Sequence, residues 1–287
     1  MNGPEQPTAR TLDDDQLRAF NTEQICEKEW AVLKPVFDER FANREFSFVD
    51  VGGGNGSFAD MLLAAYPRAR GVVLDPAEIL LSENKPHPRK EVKLARAESM
   101  DELFGERKFD LILFNWILHH LVLDSYAKTI ELQRAVILKA RRLLERGGVI
   151  SVLENLYEGN VVDAVPSRLI FELTSSKLLK PLVRRLGANT AGTGVCFRSR
   201  TAWEKDATWA GLRVAKFIEM TPKPIGAVKE LLLQVKFVGH GFFWLEPATL
   251  PQVASPDAAN PERYAEARRG ATAQLASVYS GNSSRSG

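Results

Sequence analysis

Cysteine is scarce in this chain: of 287 residues only Cys26 and Cys196 are cysteines, far apart and without metal-ligand spacing. That argues against a disulfide framework and against a metal site, and suits a reducing compartment. A surplus of either charge is missing too, since 38 Lys and Arg face 36 Asp and Glu for a net charge of +2. A nucleic-acid-binding domain usually carries a stronger basic bias, so no nucleic-acid partner is expected. No apolar run approaches the ~18 residues of a membrane span. The opening MNGPEQPTARTLDDD is polar and acidic where a signal peptide needs a basic start and an apolar core. The expectation is a cytoplasmic protein with no membrane partner.

What is present is enough apolar material, 45% of residues, to bury a full core. From 46 to about 155, short apolar runs rich in β-formers alternate with longer amphipathic stretches, the pattern of a parallel sheet covered by helices. The expected strands are FSFVDV (46–51), RGVVLD (70–75), EVKLAR (91–96), FDLILFN (109–115) and GVISVLE (148–154). Helices are expected over 57–67 and 125–148, the second closing on basic residues and glycine.

After residue 155 the alternation stops. Residues 156–200 are expected to form a cap insert, irregular and partly helical, with seven Lys or Arg against three acids. A short helix (201–212) and two strands (214–220 and 230–246) then form an edge hairpin. Before 46, apolar residues at helical spacing, among them Leu17, Phe20, Ile25, Trp30, Leu33 and Phe37, predict a helical flap over 12–45. Residues 1–11 are expected to be disordered, and the Ala-, Ser- and Pro-rich tail 247–287 partly so.

The stretch FSFVDVGGGNGSF (46–58) closes a strand and opens a helix with four glycines in five residues. Glycines there let backbone amides approach a ligand beside a helix N-terminus, which points to a nucleotide-like cofactor. Gly52, Gly54 and Gly56 give G-x-G-x-G, whereas Gly54, Gly56 and Ala59 also satisfy the dinucleotide pattern, so the glycines alone leave both open. Asp50, two residues before the first glycine, suits a ligand with an ammonium or sulfonium charge better than a pyrophosphate. Asp75, followed by Pro76 in VVLDPAE, ends the second strand where a carboxylate accepts ribose hydroxyls from either cofactor type.

Taken in order, VDVGGGNGSF, VVLD, ARAESM, FDLILFNWILHHL and LLERGGVISVLE resemble class I S-adenosylmethionine-dependent methyltransferases. The resemblance implies an α/β fold over 46–246, a Rossmann-like seven-stranded, mostly parallel sheet with helices on both faces and the last strand antiparallel. It implies S-adenosyl-L-methionine as cofactor, with Gly52, Gly54 and Gly56 beside its methionine part and Asp75 on its ribose. Ala97 and Glu98 then lie by the adenine, and Asn115 faces the cofactor. Many relatives place an Asp near the position of Arg96; here either Glu98 replaces it or the adenine is held by backbone and packing.

The acceptor side is read from position. Glu154 and Asn155 end the fifth strand, at the edge where open α/β sheets place ligands. Trp116 is expected to wall the pocket, and His119 or His120 to serve as base for an oxygen acceptor. The cap cations Arg168, Arg198 and Arg200 are expected to include a carboxylate clamp, making the acceptor a small metabolite such as an amino acid or another carboxylic acid, with an uncharged aromatic or prenyl-like metabolite behind it. No metal is expected. The competing classes are a nicotinamide-dependent oxidoreductase, disfavoured by Asp50 and the lack of a Tyr-x-x-x-Lys set, and a catalytically silent binding protein.

Overall fold

The computed structural model describes residues 8–13, 15–17, 25–220 and 222–248, without the side chains of 227 and 229. The tail from 249 onward, residues 1–7 and residues 18–24 of the flap lie outside the described residues.

Among the described residues seven strands form one sheet in the order β3-β2-β1-β4-β5-β7-β6. They are β1 Phe46–Val51, β2 Ala69–Asp75, β3 Lys90–Leu94, β4 Phe109–Asn115, β5 Leu144–Gly159, β6 Leu212–Glu219 and β7 Val235–Pro247. β1 to β5 pair in parallel, and β7 runs antiparallel between β5 and β6. Strands covered on both faces must be apolar at nearly every position, which is why β1, β2 and β4 read as continuous hydrophobic runs instead of alternating ones.

Helices cover both faces. On one lie α1 Glu27–Phe41 and α2 Ser57–Ala65, where Phe37 packs edge-on to Phe58 and Trp244, and Phe41 stacks on Phe46. This is the helical flap that the spacing of Leu33, Val36 and Phe37 predicts. α3 Glu78–Leu81 follows β2, and α4 Met100–Phe104 lies on the other face with α5 Tyr126–Arg142 and a helix after the cap, α8 Arg200–Trp209. Ser125 caps α5 by accepting from the Lys128 amide, and Ser199 caps α8 by accepting from Ala202. The cap holds α6 Val165–Ser175 and α7 Lys180–Arg185, and α9 Ala227–Leu233 precedes β7.

Four boundaries differ from the sequence expectation. α5 ends at Arg142, not 148, because Gly147 is left-handed (φ 78°) and Leu144 already pairs with Phe109, a bulge setting the register thereafter. β5 runs on to Gly159, since β7 supplies an antiparallel partner from Ile150 to Gly159, so the cap begins later than 156. Residues 230–233 are helix, not strand: ELLL is apolar enough for either, and Gln234 at φ 54° terminates α9 before β7 begins. Residues 8–11, expected to be disordered, are tied down. Ala9 is buried and gives its amide to Glu98 Oε1 at 2.7 Å, and Arg10 gives its amide to the Val122 carbonyl at 2.8 Å.

Candidate active site

At the C-terminal ends of β1, β2 and β4 a cleft is lined by Asp50, Gly52 to Gly54, Asp75, Pro76, Ala97, Glu98, Asn115 and Trp116. Nearly all the residues assigned to a cofactor from the sequence therefore meet in one place, and one does not. Gly56 is not on the cleft wall: it is left-handed at the start of α2, and a Cβ there would fall 1.9 Å from Asn84 Oδ1. Likewise a Cβ on Gly52 would fall 2.5 Å from Ile117. These two glycines make room for the protein's own side chains. At Gly54 the added atom would meet only Leu80, at 3.6 Å, so that glycine leaves its backbone open to the cleft.

The two acids of the cleft do different work. Asp75 accepts from the Ala77 amide through Oδ1 (2.8 Å) and from the Gly54 amide through Oδ2 (3.1 Å), which pins the glycine turn to the end of β2. Burial raises its carboxyl pKa against the pull of those two amides. Asp50 is buried, and its Oδ1 takes a long contact of 3.4 Å from Asn115 while, among the described residues, Oδ2 has no hydrogen-bond partner. Burial pushes the Asp50 carboxyl up to about 7, with the Asn115 amide opposing and the Asp75 charge adding. A buried carboxylate oxygen without a donor, in a cleft that a glycine turn leaves open, is suited to a ligand ammonium. On this observation the residues present fit S-adenosyl-L-methionine.

At the other end of the cleft Glu98, beside Ala97, is engaged by the N-terminal segment through Ala9, and Arg96 reaches the Ala9 carbonyl at 3.0 Å and Thr11 Oγ1 at 2.8 Å. The carboxylate near the expected adenine site thus also fastens residues 9–11.

Trp116 and His120 line this cleft and also a second, larger cavity of about 910 Å³ under the cap. Trp116 has φ 54°, uncommon for a residue with a bulky side chain and a form of strain that gathers at functional sites. Its ring packs edge-on to His240, 5.3 Å away.

His119 also lines the larger cavity. Its Nδ1 lies 2.5 Å from Glu154 Oε2, and Glu154 Oε1 accepts from the Leu118 amide at 2.7 Å. Glu154 is fully buried and lines neither cavity, so it stands behind His119 and not against a ligand. With Nδ1 committed to the carboxylate, Nε2 is the nitrogen left for the cavity. The imidazole is held between His120 (4.2 Å) and Phe197 (4.9 Å), and Phe197 stacks on Tyr157 at 4.5 Å. His120 has a pKa well below the ordinary value through burial, then through the neighbouring His119.

Asn155 does line the larger cavity, and β-pairing sets it opposite His240, which lines it as well. His240 Nδ1 is 3.5 Å from Glu29 of α1. Sequence reasoning missed Glu29, Tyr157, Phe197, Lys223 and His240. Only His240 carried a local signal, a histidine between two glycines inside an aromatic strand.

The three cap arginines do not converge. Arg198 is buried, bonded to Gln133 (3.1 Å) and Asp206 (2.9 Å). Arg200 is half-exposed, paired with Glu204 at 2.6 Å and lying over the Phe217 ring. Arg168 is exposed on α6, and none of the three lines the cavity. Each is satisfied by a neighbour or by solvent.

Among known proteins, residues 49–150 match a family model described as a methyltransferase domain. A flavonoid 8-O-methyltransferase of Ocimum basilicum is 26% identical over 129 residues, 44% of this chain and 34% of that protein, so the match spans about a third of the relative. Two solved structures share the fold. The cyclopropane synthase MmaA2 of Mycobacterium tuberculosis has a TM-score of 0.54 at 14% identity, covering 82% of this chain and 94% of that one. A putative methyltransferase from Bacillus halodurans has a TM-score of 0.52 at 16% identity, covering 77% and 100%.

Proposed function

We propose that this chain, whose residues 49–150 match a methyltransferase domain, is a class I, S-adenosylmethionine-dependent methyltransferase that methylates a hydroxyl on a bulky, largely apolar small molecule held under the cap. The observation that carries the reading is His119, backed by Glu154 and lining a large, mostly apolar cavity that adjoins the cofactor cleft at Trp116 and His120. When bound, S-adenosyl-L-methionine supplies an electrophilic methyl group on a sulfonium.

The rest is the work of the chain. Asp50 and the close-approaching backbone of the turn at Gly54 hold the amino-acid end of the cofactor, and Asp75, which pins that turn, takes its ribose hydroxyls. A hydroxyl acceptor is a poor nucleophile until its proton is withdrawn. His119 Nε2 accepts that proton, while Glu154 holds Nδ1–H, fixes the tautomer and stabilises the imidazolium that results. The aliphatic walls from α6 and α7 orient the acceptor and keep water out, which is what an in-line displacement most requires of a protein.

The size and lining of the cavity favour an uncharged aromatic or prenyl-like acceptor over an amino acid or other small carboxylate, because no arginine of the cap stands on its wall. Lys223 is a cation on that wall, at its exposed side. The test is methyl transfer from radiolabelled S-adenosyl-L-methionine to two panels, lipophilic phenols and small amino or carboxylic acids. Turnover confined to the phenols is expected. Turnover confined to the acids would overturn the acceptor class, and none on either, with tight binding of S-adenosylhomocysteine retained, would favour a silent binding protein.

A further inference from the structure

The mouth of the larger cavity is itself apolar. Leu173, Leu179, Leu182, Leu186 and Leu232 all line the cavity, yet they are 40%, 37%, 56%, 64% and 71% exposed. Side chains that do both stand at an opening. Leu178, in the turn between α6 and α7, adds a leucine that is 93% exposed. Single exposed apolar residues are ordinary, but a contiguous group around a cavity mouth marks contact with something apolar. The group is drawn from α6, α7 and α9, two stretches of chain separated by α8 and β6, so the fold assembles it.

The charge around these leucines says what that contact is. Between 175 and 187 the chain reads SSKLLKPLVRRLG, with Lys177, Lys180, Arg184 and Arg185 and no acid. Lys177, Arg184 and Arg185 are exposed, and Lys180 has Asp13 at 3.9 Å. Leucines flanked by cations on a surface helix suit the boundary of an anionic bilayer, where the apolar side chains enter the acyl region and the cations meet headgroups. A second copy of the chain fits less well, because a two-fold contact sets the same patch against itself and would face these cations with their own kind.

We propose that the face formed by α6, α7 and α9 docks on an anionic lipid bilayer and receives a long apolar acceptor from it. The delivery of an acceptor rests on the methyl-transfer reading above; the docking does not. It departs from the expectation of no membrane partner, which was drawn from the lack of a spanning segment: among the described residues no helix is long and apolar enough to cross a membrane. Surface docking needs no such helix.

The full chain is sedimented with vesicles of phosphatidylcholine alone and of phosphatidylcholine with phosphatidylglycerol. Each exposed cation near an anionic leaflet is worth ~5-fold in partition, so the chain should follow the anionic vesicles, less so at high salt, and leave the neutral ones. Leu178→Glu with Arg185→Glu should lower that partition ~10-fold or more, with S-adenosylhomocysteine affinity unchanged. Arg184→Gln with Arg185→Gln provides a second variant that leaves the leucines in place. The proposal is overturned if the wild type follows neither vesicle, if both variants partition as it does, or if the chain is a dimer in solution that Leu178→Glu dissociates. Docking without methyl transfer to any lipophilic acceptor would leave this proposal standing and sink the catalytic one.

Discussion

His119 and Glu154 are 35 positions apart, yet the imidazole Nδ1, just past the end of β4, meets the carboxylate Oε2, within β5, at 2.5 Å in a buried site. The other carboxylate oxygen is fixed by the Leu118 amide at 2.7 Å. In Glu154→Gln that amide must keep facing the side-chain oxygen, so the new NH2 turns to His119 and forces the proton onto Nε2. The base then points a proton at the acceptor. With the best phenol of the panel, kcat should fall by on the order of 10² or more in both Glu154→Gln and His119→Ala, with KM little changed. A kcat within about twofold of wild type for either would remove the pair from the reaction.

The Asp50 carboxyl sits near 7 because burial disfavours its charge. A ligand ammonium favours the ionised form, so cofactor binding drives the proton off. Affinity for S-adenosylhomocysteine should therefore weaken as pH falls below 7, by up to ~10-fold per pH unit, and level off above it. The same raised pKa means that the folded chain holds a proton the unfolded chain has lost between about 4 and 7. Its contribution to stability accordingly declines as pH rises through that window. Asp50→Asn should flatten the binding profile between about pH 6 and 8, and an unchanged slope in that variant would place the titrating group elsewhere.

Asp75 holds the Gly54 and Ala77 amides and is assigned to the ribose as well. Asp75→Ala should weaken S-adenosylhomocysteine binding by about 1 to 3 kcal/mol in calorimetric titration. Full affinity in a folded variant would take Asp75 out of the site.

How much of this could be read from the sequence depended on distance along the chain. The glycine turn, Asp50 and Asp75 were legible because a strand-to-helix junction places neighbours in sequence around one ligand. Asn115 and Trp116 followed, since β4 pairs beside β1. Glu29 was not legible and His240 showed only as a histidine between two glycines: one reaches the cavity through the docking of α1, the other through the antiparallel pairing of β7 with β5, and the sequence shows neither contact. The arginines misled for a related reason. A sequence shows a cation but not the partner that satisfies it, and here Asp206 and Glu204 do so.

Gly52 tests whether the turn is shaped by the protein or by the ligand. At φ 72°, and with a Cβ that would come within 2.5 Å of Ile117, Gly52→Ala combines backbone strain with a clash. A loss of about 1 to 3 kcal/mol in urea denaturation is expected without any ligand present. Wild-type stability with weakened cofactor binding would instead mean that the space above Gly52 belongs to the ligand.

Arg198 separates a structural cation from a substrate clamp. Its guanidinium bridges Gln133 and Asp206 in the interior and lies over Trp203, 5.1 Å from the ring centre. Asp206 is fully buried and shared with Arg134, whose Nε is 2.7 Å away. Removing Arg198 leaves that carboxylate with one partner where it had two, and an under-compensated buried charge is costly. Arg198→Ala should therefore lose about 3 kcal/mol of stability, whereas Arg200→Ala, whose pair with Glu204 is half-exposed, should stay within about 0.5 kcal/mol. Neither variant should alter KM for the acceptor, because neither side chain lines the cavity. If Arg198→Ala folds as stably as wild type and raises KM for a carboxylate acceptor ~10-fold or more, the clamp is real and the apolar-acceptor reading is wrong.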